Sequence, residues 1–321
     1  MKKGLCCPTL AQLPPPPPGK TGWPWTAESS ILPQTKRDGK TWPLISVVTP
    51  SYNQAAFLEA TIRSVLLQGY PNLEYVIIDG GSTDDSQEII HKYAPWLTHW
   101  TSEPDDGQYS AINHGFKYTK GEIMAWLNSD DMYLPNAFKT VGEVFTVLCH
   151  SVQWITGVPT YWDEYGYIFS VQMFPRFSSR HIRLGFHDER GLPAIQQEST
   201  FWSRQLWLDT GGQLDTGFKF AADYDLWRKF AAKAELYLVN VPLGGFRVHG
   251  NQKTAFYLNN YYAEVDQSLS KDKLLWLNRV LKTAQGQRVL KFYNKFRRCS
   301  AVISYNLDTG CWEEVTWEIS R

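Results

Sequence analysis

The first part of the chain repeats one pattern: a short apolar run, a small polar loop, and a stretch whose apolar residues have helical spacing. The apolar runs have the length and β-branched character of buried strands, which predicts strands at 45–49, 74–78, 97–101 and 123–127. The stretches between them predict helices at 55–68, 85–93 and 108–118. Strands that alternate with such helices form a mostly parallel sheet covered on both faces. The pattern therefore predicts an α/β fold.

Two adjacent carboxylates, Asp130 and Asp131, follow the fourth predicted strand. In an open α/β sheet, ligands bind beyond the carboxyl ends of the strands, so this pair is placed to hold a metal ion against an anionic ligand. Mg²⁺ commonly takes one or two protein carboxylates and completes its shell with phosphate oxygens and water. The alternative is an ordinary turn, because Asn, Ser and Asp are favoured turn residues.

Three other predicted loops end on the same edge of the sheet, since the strands before them run parallel. The four loops span residues 49–53, 79–81, 105–107 and 128–131. Together they offer an aromatic ring, backbone N–H groups and several carboxylates, and Gly80 and Gly81 allow close approach to a ligand. A nucleotide with a metal-bound diphosphate needs these groups. Any one loop alone could be a plain turn.

Charge and hydropathy restrict the partners. The 321-residue chain has 32 Lys and Arg against 32 Asp and Glu, so no global field attracts nucleic acid. There is no run of about 18 apolar residues for a membrane span, and the N-terminus lacks the apolar stretch of a signal peptide. Five cysteines fit neither a disulfide framework nor a paired zinc motif. We expect a cytoplasmic protein with a small-molecule partner.

The segment 1–42 contains five consecutive prolines, 14–18, followed by Trp23 and Trp25. Such a segment favours an extended polyproline conformation and forms neither a helix nor an inner strand. We predict an arm. The two tryptophans indicate packing against the main body, and a free peptide-binding arm is the alternative.

Several motifs in a fixed order resemble the family 2 glycosyltransferases of the GT-A fold, and within them a bacterial subgroup with a proline-rich N-terminal lead. The matching stretches are 48–53, 62–71, 78–84, 102–105, 125–131, 222–227 and 247–249. The resemblance implies a Rossmann-like GT-A domain at 43–254, and helical apolar spacing predicts a mainly helical extension at 255–321. It also implies inverting transfer of a sugar from a nucleotide diphosphate to a glycan or lipid-linked acceptor in polysaccharide or glycoconjugate biosynthesis, with Mg²⁺ or Mn²⁺.

The resemblance also assigns residues. Asp130 and Asp131 correspond to the end of the family's metal-binding motif, and Arg247 and His249 to an element that closes over the diphosphate. The nucleotide-sugar site then comprises Thr49, Pro50, Ser51, Tyr52, Asn53, Asp79, Gly80, Asp105, Gly107, Asn113, Asn128, Ser129, Asp130, Arg247 and His249. Three positions depart from the family pattern: Asn128 replaces the first metal-motif carboxylate, Gly80 a frequent second Asp, and Asp106 a frequent Arg or Lys.

Inverting transfer needs a carboxylate base opposite the leaving group, so base and metal must come from different segments. Asp223 lies in a predicted helix start at 220–228 and aligns with the family's base. Asp225 is too far along to share its face. The alternative for Asp223 is a helix cap. Gln197, Glu198 and Trp202 are predicted beside the acceptor.

The last part of the chain predicts helices at 257–269, 271–283 and 287–298, the third rich in basic and aromatic residues at 291–298. That helix fits either peripheral membrane contact or a solvated charged face. The alternating character of 309–321 allows an edge strand. Two other functions stay open: a nucleotidyltransferase, which should carry a basic Gly-rich loop not found here, and a catalytically inactive nucleotide-sugar or glycan-binding protein.

Overall fold

A computed structural model describes residues 7–36, 38–172, 177–250, 252–270, 283, 286 and 302–315 of the protein. The strands are β1 Ile45–Ser51, β2 Leu73–Asp79, β3 His99–Ser102, β4 Ile123–Trp126, β5 Met132–Tyr133, β6 Trp154–Thr156, β7 Thr160–Trp162, β8 Ile168–Val171, β9 Thr200–Ser203, β10 Leu236–Val239, β11 Gly244–Arg247, β12 Val302–Asn306 and β13 Cys311–Val315. The helices are α1 Ala55–Leu66, α2 Ser86–Tyr93, α3 Gln108–Phe116, α4 Ala137–Val147, α5 Ser179–Arg183, α6 Arg204–Asp209, α7 Ala222–Ala231 and α8 Lys253–Ser270.

Nine of the described strands form one sheet in the order β13-β12-β10-β6-β9-β4-β1-β2-β3. Its pairings are parallel except those of β9 with β4 and β6 and of β13 with β12. A smaller sheet has the order β5-β11-β7-β8. This confirms the predicted α/β class, a mostly parallel sheet flanked by helices.

The four predicted strands and three predicted helices are present with shifts of a few residues at their ends. The largest extension is β1, which continues through Pro50 to Ser51. Proline lacks an N–H, so it fits only where one neighbour is missing. The pairing of β1 with β4 ends at Val48 and Trp126. Beyond that point β1 pairs only with β2, so Pro50 has no β4 neighbour that would need its N–H.

The register of the parallel strands aligns their carboxyl ends. Ser51 of β1 pairs with Asp79 of β2, and Asp79 pairs with Ser102 of β3. The backbone N–H of Leu127 donates to the carbonyl of Val48, which continues the row into the β4 end. The loops after β1, β2, β3 and β4 therefore leave the sheet at one edge.

The N-terminal arm lies against the body, and the buried Arg63 of α1 holds it. The guanidinium donates to the carbonyls of Pro14 (2.9 Å), Pro24 (2.9 Å) and Trp25 (3.0 Å) and to the hydroxyl of Tyr93 (3.0 Å). Arg63 is fully buried. The proline-rich segment, which cannot pair as a strand, is thus fixed through its own carbonyl groups.

The C-terminal part combines a helix with strands. The predicted helix 257–269 lies within α8, whereas the predicted helices 271–283 and 287–298, including the basic stretch 291–298, fall almost entirely outside the described residues. β12 and β13 extend the main sheet and end it with an antiparallel hairpin. In the described part of the chain, no helix is both long and apolar enough to cross a membrane.

Candidate active site

The ends of β1 and β2 are joined by serine and asparagine side chains. Asp79 is buried, and its carboxylate accepts from Ser82 N (2.8 Å), Ser82 Oγ (2.6 Å) and Ser102 Oγ (2.7 Å). The backbone N–H of Asn53 donates to Ser82 Oγ, and Asn53 Oδ1 accepts from Thr83 N (2.8 Å each). A carboxylate has about four lone-pair sites, so Asp79 keeps roughly one for a ligand.

The predicted nucleotide-binding residues on β1 face different ways. Thr49 is fully buried and hydrogen-bonds Tyr75 Oη at 3.0 Å, so it belongs to the core. Pro50 is also buried, whereas Tyr52 is 61% exposed at the sheet edge. Ser51 Oγ is buried and has no hydrogen-bond partner in the described part of the chain. Tyr52 and Ser51 are therefore the two that have groups to offer a ligand.

The loop after β3 packs closely on the loop after β2. A side chain at Gly80 would meet the Asp105 carboxylate at 3.1 Å, and Asp105 Oδ1 accepts from Gly107 N at 2.7 Å. Gly107 has φ +108°, a backbone conformation that favours glycine. From the next residue, Gln108 Nε2 donates to Asn128 Oδ1 at 2.7 Å. This hydrogen bond connects the third loop to the fourth.

The fourth loop, residues 128–131, is called the acidic loop below. Thr61 of α1 donates to the carbonyls of Ser129 (2.9 Å) and Asp131 (2.7 Å). Arg247 contacts the loop from β11: its N–H donates to Asp131 Oδ1 (2.8 Å) and its Nε to the carbonyl of Asp130 (2.7 Å). The loop is thus held from α1 and β11 together.

The two carboxylates of the acidic loop are in different environments. Asp131 is 1% exposed, and burial, followed by the charges of Asp130 and Glu198, raises its pKa well above the usual value. Its Oδ2 also lies 3.3 Å from Asn128 Nδ2. The side chain of Asp130 is 22% exposed, and its Oδ2 lies 3.1 Å from His249 Nε2. Asp130 is therefore the carboxylate that a ligand can reach.

Asp130 and His249 together fit a divalent cation in part. A carboxylate oxygen beside an imidazole nitrogen is a donor pair that transition-metal ions accept, and phosphate and water oxygens can complete the shell. In the described ranges, no group of three or more His, Cys, Asp or Glu side chains is arranged to hold a metal ion. A cation here would depend on its ligand for the remaining contacts.

The guanidinium of Arg247 is a buried cation next to the acidic loop. It is 3% exposed, and burial lowers the pKa of its guanidinium. Its Nη2 has no hydrogen-bond partner among the described residues. Leaving a buried charged donor unpaired is costly, so the position fits an anionic ligand.

Glu198 and Gln197 lie in a short 3-10 turn, Gln197–Ser199, directly before β9. Glu198 is 3% exposed, and burial, then the charges of Asp130 and Asp223, raises its pKa to about 8. Its neighbour Gln197 donates to the carbonyl of Trp126 at 2.6 Å. Because both Asp130 and Asp223 act on Glu198, the three carboxyl groups share one region of the molecule.

The prediction that Trp202 lies beside the acceptor is wrong. Its ring is fully buried and packs against Trp126 (5.3 Å between centroids), Trp227 (5.8 Å) and Phe230 (5.8 Å). Strand alternation explains the position, because Trp202 on β9 points to the sheet face that α7 covers. The ring stabilises the core beneath the site.

Asp223 lies in the first turn of α7 and is half-buried. The N-cap is Ala221, and Asp223 Oδ1 accepts from the N–H of Tyr224 (2.8 Å), so Asp223 is not the helix cap. Burial raises its pKa to about 6, and the charge of Glu264 adds to this. A carboxylate with such a pKa is ionised at neutral pH and basic enough to accept a proton.

Two residues fix the segment before Asp223. Glu264 of α8 accepts from the N–H groups of Lys219 (2.8 Å), Phe220 (2.8 Å) and Ala221 (3.0 Å). Asn113, predicted to bind the nucleotide sugar, instead exchanges two hydrogen bonds with the backbone of Leu214 at 2.9 and 2.8 Å. Sequence reasoning missed Glu264, because it is one of two acidic residues on α8 and no local motif distinguishes it.

Asp225 offers a natural comparison with Asp223 on the same helix. Its carboxylate pairs with Lys229 Nζ at 2.6 Å and accepts from Ser268 Oγ at 2.9 Å. Both contacts engage its carboxylate, so Asp225 is already paired within the fold.

The mostly parallel sheet, with its loops gathered at one edge and helices on its faces, has the GT-A fold. Residues 46–195 match the model described as Glycosyl transferase family 2. Relatives include an uncharacterized glycosyltransferase of Rickettsia typhi, 29% identical over 218 residues, which are 68% of each chain. A similar protein of Rickettsia prowazekii is 28% identical over the same shares. The resemblance predicted from the motifs is confirmed.

Solved structures agree on the fold. S. aureus TarS 1-349 in complex with UDP-GlcNAc has a TM-score of 0.55 at 16% identity, over 79% of this chain and 76% of that one. The mannosyltransferase PcManGT from Pyrobaculum calidifontis in complex with GDP-Man and Mn²⁺ has 0.52 at 17% identity, over 84% and 79%. The match to a longer TarS structure covers 55% of the length of that TarS chain. At these identities the likeness concerns the fold alone.

Proposed function

We propose that the protein transfers a sugar from a nucleotide diphosphate to an acceptor hydroxyl with inversion at the anomeric carbon. The observation that carries this proposal is Asp223, a half-buried carboxylate with a pKa of about 6. The charges of Asp223 and Asp130 both act on Glu198, which supports a candidate base and a candidate diphosphate-binding loop in one region.

Asp223 acts as the general base. Its carboxylate accepts the proton of the acceptor hydroxyl while that oxygen forms a bond to the anomeric carbon. The bond from that carbon to the diphosphate oxygen breaks, and the nucleoside diphosphate leaves with the electron pair. Attack opposite the leaving group inverts the configuration.

The leaving group is bound at the other end of the space. Arg247 donates its buried Nη2 to a diphosphate oxygen, a charge-assisted hydrogen bond. Asp130 and His249 are the residues that would hold a divalent cation, which supplies countercharge to the diphosphate when bound. Mn²⁺ is favoured over Mg²⁺, because Mg²⁺ keeps oxygen ligands. Asp131 braces the acidic loop.

The nucleoside binds at the β1 and β2 ends. Tyr52 offers an exposed ring to the base, and the remaining acceptor capacity of Asp79 and the buried Ser51 hydroxyl offer polar contacts. The donors bound by the fold relatives, UDP-GlcNAc and GDP-Man, support this class of ligand. The product belongs to polysaccharide or glycoconjugate biosynthesis.

A protein that binds nucleotide sugars without turnover is the second candidate. One observation favours it: the Asn128 amide accepts from Gln108 and donates toward Asp131, so this position brings no charge to a cation.

One experiment separates the two. Purified protein is incubated with UDP-, GDP- and dTDP-sugars and Mn²⁺, and the release of nucleoside diphosphate is followed together with donor binding. We expect slow release from one donor that is lost in Asp223→Asn and retained in Asp225→Asn. Donor binding without any release supports the binding protein, and neither binding nor release contradicts both.

A further inference from the structure

A cleft of about 250 Å³ opens beside the segment that leads into Asp223. One wall is the start of α3 and the loop before it, Asp106 to Ser110, and the other is the segment from Thr216 to Phe220 with Tyr257 of α8. Pockets for drug-sized ligands are commonly about 300–1,000 Å³. This cleft therefore holds one ring-sized unit.

The cleft lies close to Asp223. Tyr109 forms part of it, and burial, then the charge of Asp223, raises the pKa of the Tyr109 hydroxyl well above its usual value. The acidic loop, Arg247 and His249 do not line the cleft. Gln108, which does, reaches Asn128 at 2.7 Å. The wall from Thr216 to Phe220 leads directly into Asp223, so the cleft adjoins the transfer position.

Aromatic rings make its apolar surface. Phe220 and Tyr257 stack with centroids 5.2 Å apart and planes at 30°. Tyr257 is 48% exposed, and the backbone there leaves helical geometry inside α8, with φ −120° and ψ 26°. An exposed aromatic face in a concave site suits the C–H face of a pyranose ring, whose other edges carry hydroxyls.

Lys219 supplies polar contacts on the same wall. Its Nζ donates to the carbonyl of Asp106 at 3.1 Å across the cleft, and Glu264 fixes its backbone N–H. An ammonium has three N–H donors, so two remain for sugar hydroxyls after this contact. The carboxylates of Asp106 and Asp223 offset the single positive charge, which favours a neutral sugar over an anionic one.

We propose that this cleft is the acceptor subsite and takes one pyranose ring of a neutral glycan. The sugar ring packs on the exposed side of Tyr257, which Phe220 supports from behind, and hydrogen-bonds Lys219, so that one hydroxyl reaches Asp223. This assignment rests on the proposed function. In this proposal the acceptor contacts Lys219 and Tyr257 and not Trp202.

The test uses methyl α- and β-pyranosides of glucose, galactose and mannose as probe acceptors, with the donor that supports nucleotide release. The readouts are the ratio of sugar transferred to the probe over sugar lost to water, the KM for the probe, and donor affinity. We expect Tyr257→Ala and Lys219→Met each to lower that ratio at least tenfold and to raise the KM, with donor affinity within threefold of wild type. Tyr305→Ala, a tyrosine of similar exposure (44%) on β12, is the matched control and should leave the ratio unchanged.

Saturation-transfer NMR of the same probes on wild type and Tyr257→Ala gives a second readout that needs no turnover. Unchanged ratios in both variants, an equal loss of donor affinity, or no probe accepted and none bound by a wild type that releases nucleotide would each overturn the subsite. Failure of wild type to bind any nucleotide sugar would instead contradict the proposed function, and probe binding lost in Tyr257→Ala would then still support a sugar site in the cleft.

Discussion

The backbone N–H of Arg247 donates to the carboxylate of Asp131 at 2.8 Å, joining β11 to the acidic loop across 116 residues of sequence. Both groups are buried, Arg247 at 3% and Asp131 at 1% exposure. A buried N–H that loses its acceptor pays its full desolvation cost. Asp131 therefore holds the loop, whereas the more exposed Asp130 is the carboxylate that we propose contacts the ligand.

We therefore expect substitution of Asp131 to affect mainly stability and substitution of Asp130 to affect mainly turnover. Asp131→Ala should lower the free energy of unfolding by about 1–3 kcal/mol, because it leaves the Arg247 N–H unpaired. Asp130→Ala, at the more exposed position, removes only the contact with His249 Nε2, so it should destabilise less than Asp131→Ala and still abolish turnover. Urea denaturation and nucleotide release measure the two effects. An Asp131→Ala protein as stable as wild type would contradict the bracing role.

Chelation and a histidine variant test the cation. Excess EDTA should abolish turnover, and Mn²⁺ should restore it at a lower concentration than Mg²⁺. His249→Ala should raise the Mn²⁺ concentration for half-maximal binding at least tenfold, measured by electron paramagnetic resonance of bound Mn²⁺ in the presence of nucleoside diphosphate. Full activity in excess chelator would exclude a metal-assisted reaction.

The arm should contribute to stability through Arg63. Arg63→Lys keeps the charge but cannot reach three carbonyls at once, so buried acceptors on Pro14, Pro24 and Trp25 lose donors. We expect a loss of about 2 kcal/mol or more in the free energy of unfolding and faster proteolysis within the arm. Lys40→Met, an exposed position on the same arm, is the control. Equal stability of both variants would indicate a loosely attached arm.

The pH dependence of kcat/KM reports on Asp223. Since its folded pKa is about 6 and the base must be ionised, activity should fall tenfold per pH unit below about 6. Because the pKa of Asp223 is higher in the folded state, its protonation contributes to the free energy of unfolding. That contribution is fully present below the unfolded pKa and is lost as pH rises through 6. Asp223→Asn should therefore be at least as stable as wild type at pH 8.

Glu264→Gln should move this acidic limb to lower pH, because the charge of Glu264 helps to raise the pKa of Asp223. It should also loosen the segment 219–221, because its three N–H groups donate hydrogen bonds to the Glu264 carboxylate. A pH profile identical to that of wild type would show that Glu264 has no electrostatic effect on the base.

The strands β1 to β4 could be predicted from sequence because each is a local apolar run that ends at a glycine, proline or acidic turn. Parallel topology then places the four loops together without knowledge of side-chain contacts. This is why Asp79, Gly80, Asp105 and Asn128 were correctly grouped at one edge.

What could not be predicted depends on contacts between distant segments. Trp202 has the sequence character of either a core or a sugar-binding aromatic, and only the packing of α7 on β9 decides for the core. Lys219 and Glu264 are 45 residues apart, and no local pattern indicates that one fixes the backbone of the other. The separate environments of Asp130 and Asp131 likewise depend on Arg247.

The most direct measurement is the turnover of Asp223→Asn with the donor identified by nucleotide release, compared with Asp225→Asn on the same helix. A general base typically contributes about 10²–10⁴ in rate, and the amide keeps the shape of the side chain without accepting a proton. We predict a loss of that size in Asp223→Asn with donor affinity within a few-fold of wild type, near-normal turnover in Asp225→Asn, and inverted configuration of the wild-type product by NMR. An active Asp223→Asn, or a product of retained configuration, would contradict the account.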